Sequence, residues 1–160
     1  MRTRKHKQGV TLMEMVIVVA IIALLATMVI GIVSRIDSRA KEKGLQNTFA
    51  LLESALQEYY EYSGKFPEQL EKNFVNTAAH CEGLYRELQS IPASRRVLEK
   101  ISDSLLQNKL GAAGTPPEVY DPWGTALDYR YAPGENFPEL ISAGPDRKFS
   151  TSDDISSKKV

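Results

Sequence analysis

The chain has 160 residues, of which 42% are hydrophobic and 25% are charged, so it can hold one modest domain and little more. Lys+Arg and Asp+Glu number 20 each, and this balance gives no overall basic surface of the kind that marks nucleic-acid binding. A single cysteine, Cys81, excludes an intrachain disulfide and a thiolate-rich metal site.

The N terminus is basic and leads into an apolar segment. Four basic residues precede the first acid, Glu14, and an uncharged run then extends from Met15 to Val33. At about 1.5 Å per residue, a helix of this length crosses a hydrocarbon layer of about 30 Å. The run therefore predicts a transmembrane helix, and the basic leader predicts that the residues after Arg35 lie outside the cytoplasm.

A secretory signal peptide is the less favoured alternative for the same segment. Such a signal has a shorter apolar core, followed by a cleavage site with two small residues. Neither feature occurs cleanly around Ile30–Arg35.

The residues before the apolar run carry a more specific pattern, Lys7-Gln8-Gly9-Val10-Thr11-Leu12-Met13-Glu14. This pattern resembles the class III signal of type IV pilins and pseudopilins, in which a prepilin peptidase cuts after the glycine and methylates the new terminal amine. The resemblance implies cleavage between Gly9 and Val10 and N-methylation of Val10, which stands where most members have Phe or Met.

Glu14 is unusual on physical grounds as well. A carboxylate at the edge of a membrane helix costs about 2–3 kcal/mol unless it reaches water or is paired. The amine that cleavage would free at Val10, in the same chain or in a neighbouring subunit, could pair with Glu14 and fix the axial register of a filament. We therefore predict an assembly role for Glu14; a glutamate that only faces lipid headgroups is the alternative.

After Arg35 the pattern becomes amphipathic. Apolar residues recur three or four positions apart and predict one buried helical face: Leu45, Phe49, Leu52, Leu56 and Tyr59. One helix is thus predicted from about Thr11 to about Tyr62. Gly64 is its expected C-cap, and Pro67 prevents its continuation.

Further elements follow in the rest of the chain. Helices are predicted near residues 78–89 and from Ser94, as an N-cap, to about Leu110. Residues 111–117 are predicted to form a loop. Strands are predicted at Ala126–Tyr131 and Glu139–Ser142, joined by a turn at residues 133–136, and each should bury one face against the long helix.

The C-terminal part carries a second resemblance. Asp121-Pro122-Trp123-Gly124, then Tyr129, Tyr131 and Ser142-Ala143-Gly144-Pro145-Asp146, together with Gly64-Lys65-Phe66-Pro67, are similar to the major pseudopilins (protein G) of type II secretion systems. The resemblance covers roughly residues 5–67 and 120–156, whereas residues 68–117 form a longer and more helical insert than is usual in the family.

This resemblance implies a fold and an organisation. The fold is α+β, a pilin-like lollipop in which one long N-terminal helix packs on a small antiparallel sheet with extra helices. Residues 1–9 would be a leader peptide, residues 10–34 a transmembrane and assembly helix, and residues 35–160 a periplasmic globular domain that includes the outer half of the long helix.

The implied function is a structural subunit of a periplasmic pseudopilus, anchored in the inner membrane by one span and polymerised through its N-terminal helix. The implied partners are other copies of the chain, minor pseudopilins, an inner-membrane assembly platform and prepilin peptidase, with no nucleic acid among them. A type IV pilin for adhesion, motility or DNA uptake is the alternative.

The acidic loop near the C terminus is open to two interpretations on its residues alone. Closing it would bring Asp146 near Asp153 and Asp154, which suits either a solvated turn with Asp caps or a site for a hard cation; the spacing is not that of an EF-hand. The resemblance implies calcium, with Asp146 and Asp153 as side-chain ligands, Ala143 as a carbonyl ligand and Asp154 as a further ligand.

No catalytic pattern is evident in the predicted outer domain. It has one histidine, His80, beside Cys81, and two adjacent ligands make a poor zinc site. A Gly-x-Ser-x-Gly elbow and a phosphate loop are both missing from the sequence. We therefore interpret His80 and Cys81 as structural residues and the protein as a non-enzyme.

Overall fold

The structure is a computed structural model that describes residues 12–109 and 114–159, with the side chains of residues 28–35 and 159 outside the description. The helices are α1 (Leu12–Ser63), α2 (Thr77–Ser90) and α3 (Pro92–Leu98), with 3-10 turns at Phe74–Asn76, Asp103–Leu105 and Ser157–Lys159. The strands are β1 (Leu106–Gln107), β2 (Glu118–Val119), β3 (Asp128–Arg130), β4 (Glu139–Ser142) and β5 (Ile155–Ser156). The chain divides into two compact units, residues 1–40 and 41–160.

The α+β prediction is confirmed, and α1 ends where the sequence predicts. Gly64 adopts a left-handed φ of 73°, which glycine tolerates without strain. Its N–H donates to the Tyr60 carbonyl at 2.8 Å, and the Ser63 hydroxyl donates to the Tyr59 carbonyl at 2.8 Å. These two bonds satisfy carbonyls that the end of the helix leaves without partners.

The core of the second unit forms on the predicted face of α1. Leu45, Leu52 and Leu56 are fully buried there, and Phe49 and Tyr59 are nearly so. They belong to one apolar cluster with side chains from α2, from β3 and from β4: Leu84, Leu88, Tyr129 and Leu140. Burying an apolar side chain of this size stabilises the fold by about 1.5–3 kcal/mol, so this face holds the unit together.

Two small antiparallel sheets lie in the second unit. In the first, Leu106 of β1 pairs with Val119 of β2. In the second the strand order is β3-β4-β5, with Tyr129 opposite Leu140 and Ser142 opposite Ile155. β4 has the predicted bounds, β3 is shorter than predicted, and the other three strands were not predicted.

The predicted third helix is wrong in both bounds. α3 starts at Pro92, a favoured first position because proline lacks the N–H that would have no partner there. It ends at Leu98, beyond which the chain turns into β1 and pairs with β2. Ser94 is not the N-cap, because that position is taken by Ile91. Ser94 lies within α3, where it is fully buried and its hydroxyl donates to the Ala55 carbonyl of α1 at 2.9 Å.

Candidate functional site

The acidic loop joins β4 to β5, two strands that lie side by side, so its two ends are adjacent. Gly144 at the first end has a φ of 65°, and a Cβ built there would lie 2.1 Å from the Asp153 carbonyl oxygen. Only glycine permits so close an approach of the two backbones. Ala143, the residue before it, is fully buried.

Asp146 and Asp153 meet across this loop, as the sequence predicts. The Asp146 N–H donates to Asp153 Oδ2 at 3.1 Å, and the Thr151 hydroxyl donates to Asp153 Oδ1 at 2.6 Å. The hydrogen bond from Thr151, followed by the one from Asp146, lowers the pKa of Asp153 below its ordinary 3.8. Asp146 Oδ1 in turn accepts the Lys148 N–H at 2.8 Å, so both carboxylates are held in place.

Asp154 differs from its neighbours because one of its oxygens has no partner. Oδ2 accepts the Ser150 N–H at 2.8 Å, whereas Oδ1 is buried and makes no hydrogen bond within the described residues. A buried charged acceptor without a partner costs at least about 1–3 kcal/mol. A cation beside it would remove this cost, so this oxygen is compatible with the calcium that the family resemblance implies.

Asp153 and Asp154 also border a cleft on the surface of the second unit. The cleft of about 340 Å³ is lined by Asp153 and Asp154 and by Glu42 and Gln46 of α1. No cluster of three or more His, Cys, Asp or Glu side chains in the described ranges is arranged to hold a metal ion. Any ion here therefore needs backbone carbonyls or water as well, which calcium accepts readily.

Glu14 lies in the first turn of α1, where a negative charge is favoured by the helix dipole, and it is exposed. The large apolar side chains from Leu12 to Leu25 are also exposed, between 46% and 83%. Gly9 and Val10 lie outside the described residues, and the predicted apolar run Met15–Val33 is described with its side chains only as far as residue 27.

The membrane span predicted from the sequence has no counterpart among the helices described: across residues 12–109 and 114–159, none combines the length and the apolar character that crossing a bilayer needs.

His80 and Cys81 both lie on α2 and are buried. His80 Nδ1 is 2.8 Å from Asp128 Oδ1 on β3, and Nε2 is 3.3 Å from Glu71 Oε2. Hydrogen bonds from Asn76 and then from His80 lower the pKa of Glu71. The ring therefore links α2 both to the sheet and to the segment after α1.

The same contacts explain why Asp128 is fully buried although the sequence predicts only one buried face for its strand. α2 covers the second face, and Asp128 Oδ2 accepts the Arg130 Nε hydrogen at 2.7 Å. Both carboxylate oxygens thus have partners, as a buried charge requires. Sequence alternation cannot reveal this second layer.

Cys81 contacts β2 rather than solvent. The Val119 N–H donates to its sulfur at 3.1 Å, and burial raises the pKa of the thiol to about 12. Since the thiolate is the nucleophile, this thiol is unreactive near neutral pH. The geometry agrees with the structural interpretation of both residues.

Comparisons with known proteins agree with the sequence patterns. Residues 4–30 match the family described as the prokaryotic N-terminal methylation motif. The chain is similar to the type II secretion system core protein G of Escherichia coli strain K12, with 30% identity over 158 residues that cover 97% of this chain and 93% of the relative. No solved structure matches the chain.

Proposed function

The chain belongs to the family of type II secretion system core protein G, and we propose that it is a structural subunit of a pseudopilus, the periplasmic filament of such a system. The observation that carries the proposal is the identity of 30% across 97% of the chain. The alignment covers nearly the whole chain, so it includes the outer domain and extends well beyond the N-terminal methylation motif at residues 4–30. The subunit acts by assembling and performs no catalysis itself.

Processing at the N terminus makes the subunit competent to assemble. Prepilin peptidase cuts between Gly9 and Val10 and methylates the amine of Val10, which the match to the methylation motif over residues 4–30 supports. Before assembly the helix that follows anchors the subunit in the inner membrane by a single span, with the C-terminal domain in the periplasm. The exposed apolar side chains from Leu12 to Leu25 support this anchor.

Assembly then exchanges lipid for protein around the same helix. Apolar side chains on all sides of a helix need apolar neighbours, which are lipid before assembly and equivalent helices after it. The carboxylate of Glu14 pairs with the amine of Val10, in the same chain or in an adjacent subunit, and this pairing offsets the desolvation of both charges. Partners at this stage are other copies of the chain, minor pseudopilins at the filament end and an inner-membrane assembly platform.

Calcium holds the C-terminal loop in this proposal. Asp146 and Asp153 are side-chain ligands, Ala143 supplies a carbonyl and Asp154 a further carboxylate. The buried, unpartnered Oδ1 of Asp154 supports the assignment. When bound, the ion would cross-link the two ends of the loop, a role that a disulfide cannot take in a chain with one cysteine.

Secretion and motility in the native host distinguish a pseudopilin from a type IV pilin. We expect a deletion strain to retain its exported proteins in the periplasm, to keep twitching motility, and to recover secretion when the gene is supplied in trans. Lost motility with normal secretion would contradict the proposal and would indicate a type IV pilin. Hydrolase activity of the purified protein would contradict its non-catalytic part.

A further inference from the structure

The Asp-Pro-Trp-Gly turn is connected to the start of the acidic loop by a chain of buried hydrogen bonds. Asp121 is 2% exposed, and its Oδ1 accepts the N–H groups of Trp123 at 3.0 Å and Thr125 at 2.8 Å. Its other oxygen, Oδ2, accepts the hydroxyl hydrogen of Ser142 at 2.7 Å. One carboxylate thus both forms the turn and holds the last residue of β4.

Ser142 carries the connection forward into the loop. It is fully buried, and its Oγ accepts the N–H of Gly144 at 3.1 Å. A carboxylate can only accept, so the single hydrogen of the hydroxyl is directed to Asp121 and a lone pair is left for Gly144. The direction of both hydrogen bonds is therefore set by Asp121.

The bond to Gly144 also orients the carbonyl of Ala143. That carbonyl and the N–H of Gly144 belong to one planar peptide unit, which is trans, so fixing the N–H fixes the opposite direction of the carbonyl. Ala143 is the residue whose carbonyl is the proposed calcium ligand. The orientation of this carbonyl matters because the affinity for an ion that is held partly by backbone oxygens depends on where those oxygens lie.

We propose that Asp121 and Ser142 are positioning residues for calcium, which they do not touch: they hold the Ala143–Gly144 peptide in the orientation in which its carbonyl reaches the ion. The proposal rests on the calcium loop of the proposed function. It assigns the Asp-Pro-Trp-Gly turn a role in metal affinity in addition to its role in packing.

If Ser142 had a purely structural role, its substitution would lower the stability of the fold and leave calcium affinity unchanged. A second buried serine serves as the control that distinguishes this role from positioning. Ser94 is also fully buried, and its hydroxyl donates to the Ala55 carbonyl at 2.9 Å, on a helix away from the loop. Ser94→Ala therefore removes a comparable buried hydroxyl without touching the path from Asp121 to Gly144.

The test is isothermal titration calorimetry of calcium chloride into the full chain in detergent micelles. We expect Ser142→Ala to raise the Kd for calcium by about 10–100-fold, as the loss of supporting hydrogen bonds does at metal sites, and Ser94→Ala to change it by less than about twofold. Asp121→Asn keeps an oxygen for the turn and removes the acceptor of the Ser142 hydroxyl, so it should also weaken binding.

The outcomes separate this inference from the calcium proposal itself. Wild-type protein that binds no calcium would overturn both. Wild-type protein that binds calcium, together with a Ser142→Ala variant of unchanged Kd, would overturn only the positioning role. A Ser94→Ala variant that loses as much affinity as Ser142→Ala would likewise show that the effect is one of general stability.

Discussion

Asp153→Ala is expected to abolish the stabilisation of the protein by calcium. An ion that binds only the folded chain stabilises it by about 2.7 kcal/mol at a free concentration of 100 times Kd. For a domain of this size that corresponds to a rise of several degrees in the melting temperature. Asp153 is central because one of its oxygens accepts the Asp146 N–H and thereby joins the two ends of the loop.

The measurement is the melting temperature of the full chain in micelles, with excess calcium and with chelator. Asp103→Ala is a suitable control, since Asp103 is exposed in a 3-10 turn outside the acidic loop. The control should keep the calcium-dependent rise and Asp153→Ala should lose it. A wild-type melting temperature that does not respond to calcium would refute the site, and a full response in Asp153→Ala would place the ion elsewhere.

Glu14→Gln is expected to abolish filament assembly while processing continues. The substitution keeps the size of the side chain and removes the charge that is proposed to pair with the freed amine of Val10. That amine would then be left without a counter-charge among apolar helices, at a cost of several kcal/mol for each subunit. Because the cost recurs at every subunit, the filament should fail to form.

Filament yield in sheared fractions measures this effect, and the mass of the mature N terminus shows whether cleavage occurred. Glu61→Gln is the matched control, since Glu61 is an exposed glutamate near the other end of α1. Glu61→Gln should assemble normally. Normal filaments from Glu14→Gln would contradict the pairing, and an uncleaved Glu14→Gln chain would assign Glu14 to recognition by the peptidase instead.

The parts of the fold set by local sequence were predictable. The end of α1 follows from the preference of Gly64 for a left-handed backbone, and the buried face at Leu45 and Leu52 follows from helical periodicity. β4 was predicted with its observed bounds because a turn with Pro133 and Gly134 precedes it.

Long-range pairing explains what was missed. The spacing of apolar residues after Ser94 is compatible with one continuous helix. Leu106 instead lies in β1, where it pairs with Val119, a residue further along the chain. The burial of Asp128 likewise depends on His80, which α2 brings over the sheet. Propensity carries no information about either contact, because tertiary packing overrides it.

The candidate site was also predictable only in part. Loop closure between Asp146 and Asp153 was predicted because both lie in one short polar segment. The connection from Asp121 to Ser142 was not predicted, since the two residues are on different elements and neither is unusual on its own. The Asp-Pro-Trp-Gly motif was therefore recognised in the sequence, whereas its contact with Ser142 became known only from the structure.

The mass of the N-terminal peptide, from protein extracted from the membranes of the native host, shows whether the chain is processed after Gly9. We expect a peptide that begins at N-methylated Val10, because family membership and assembly through the N-terminal helix both require processing after Gly9. An intact leader, or a first residue beyond Ile30, would contradict it by reducing the apolar segment to an ordinary anchor or signal.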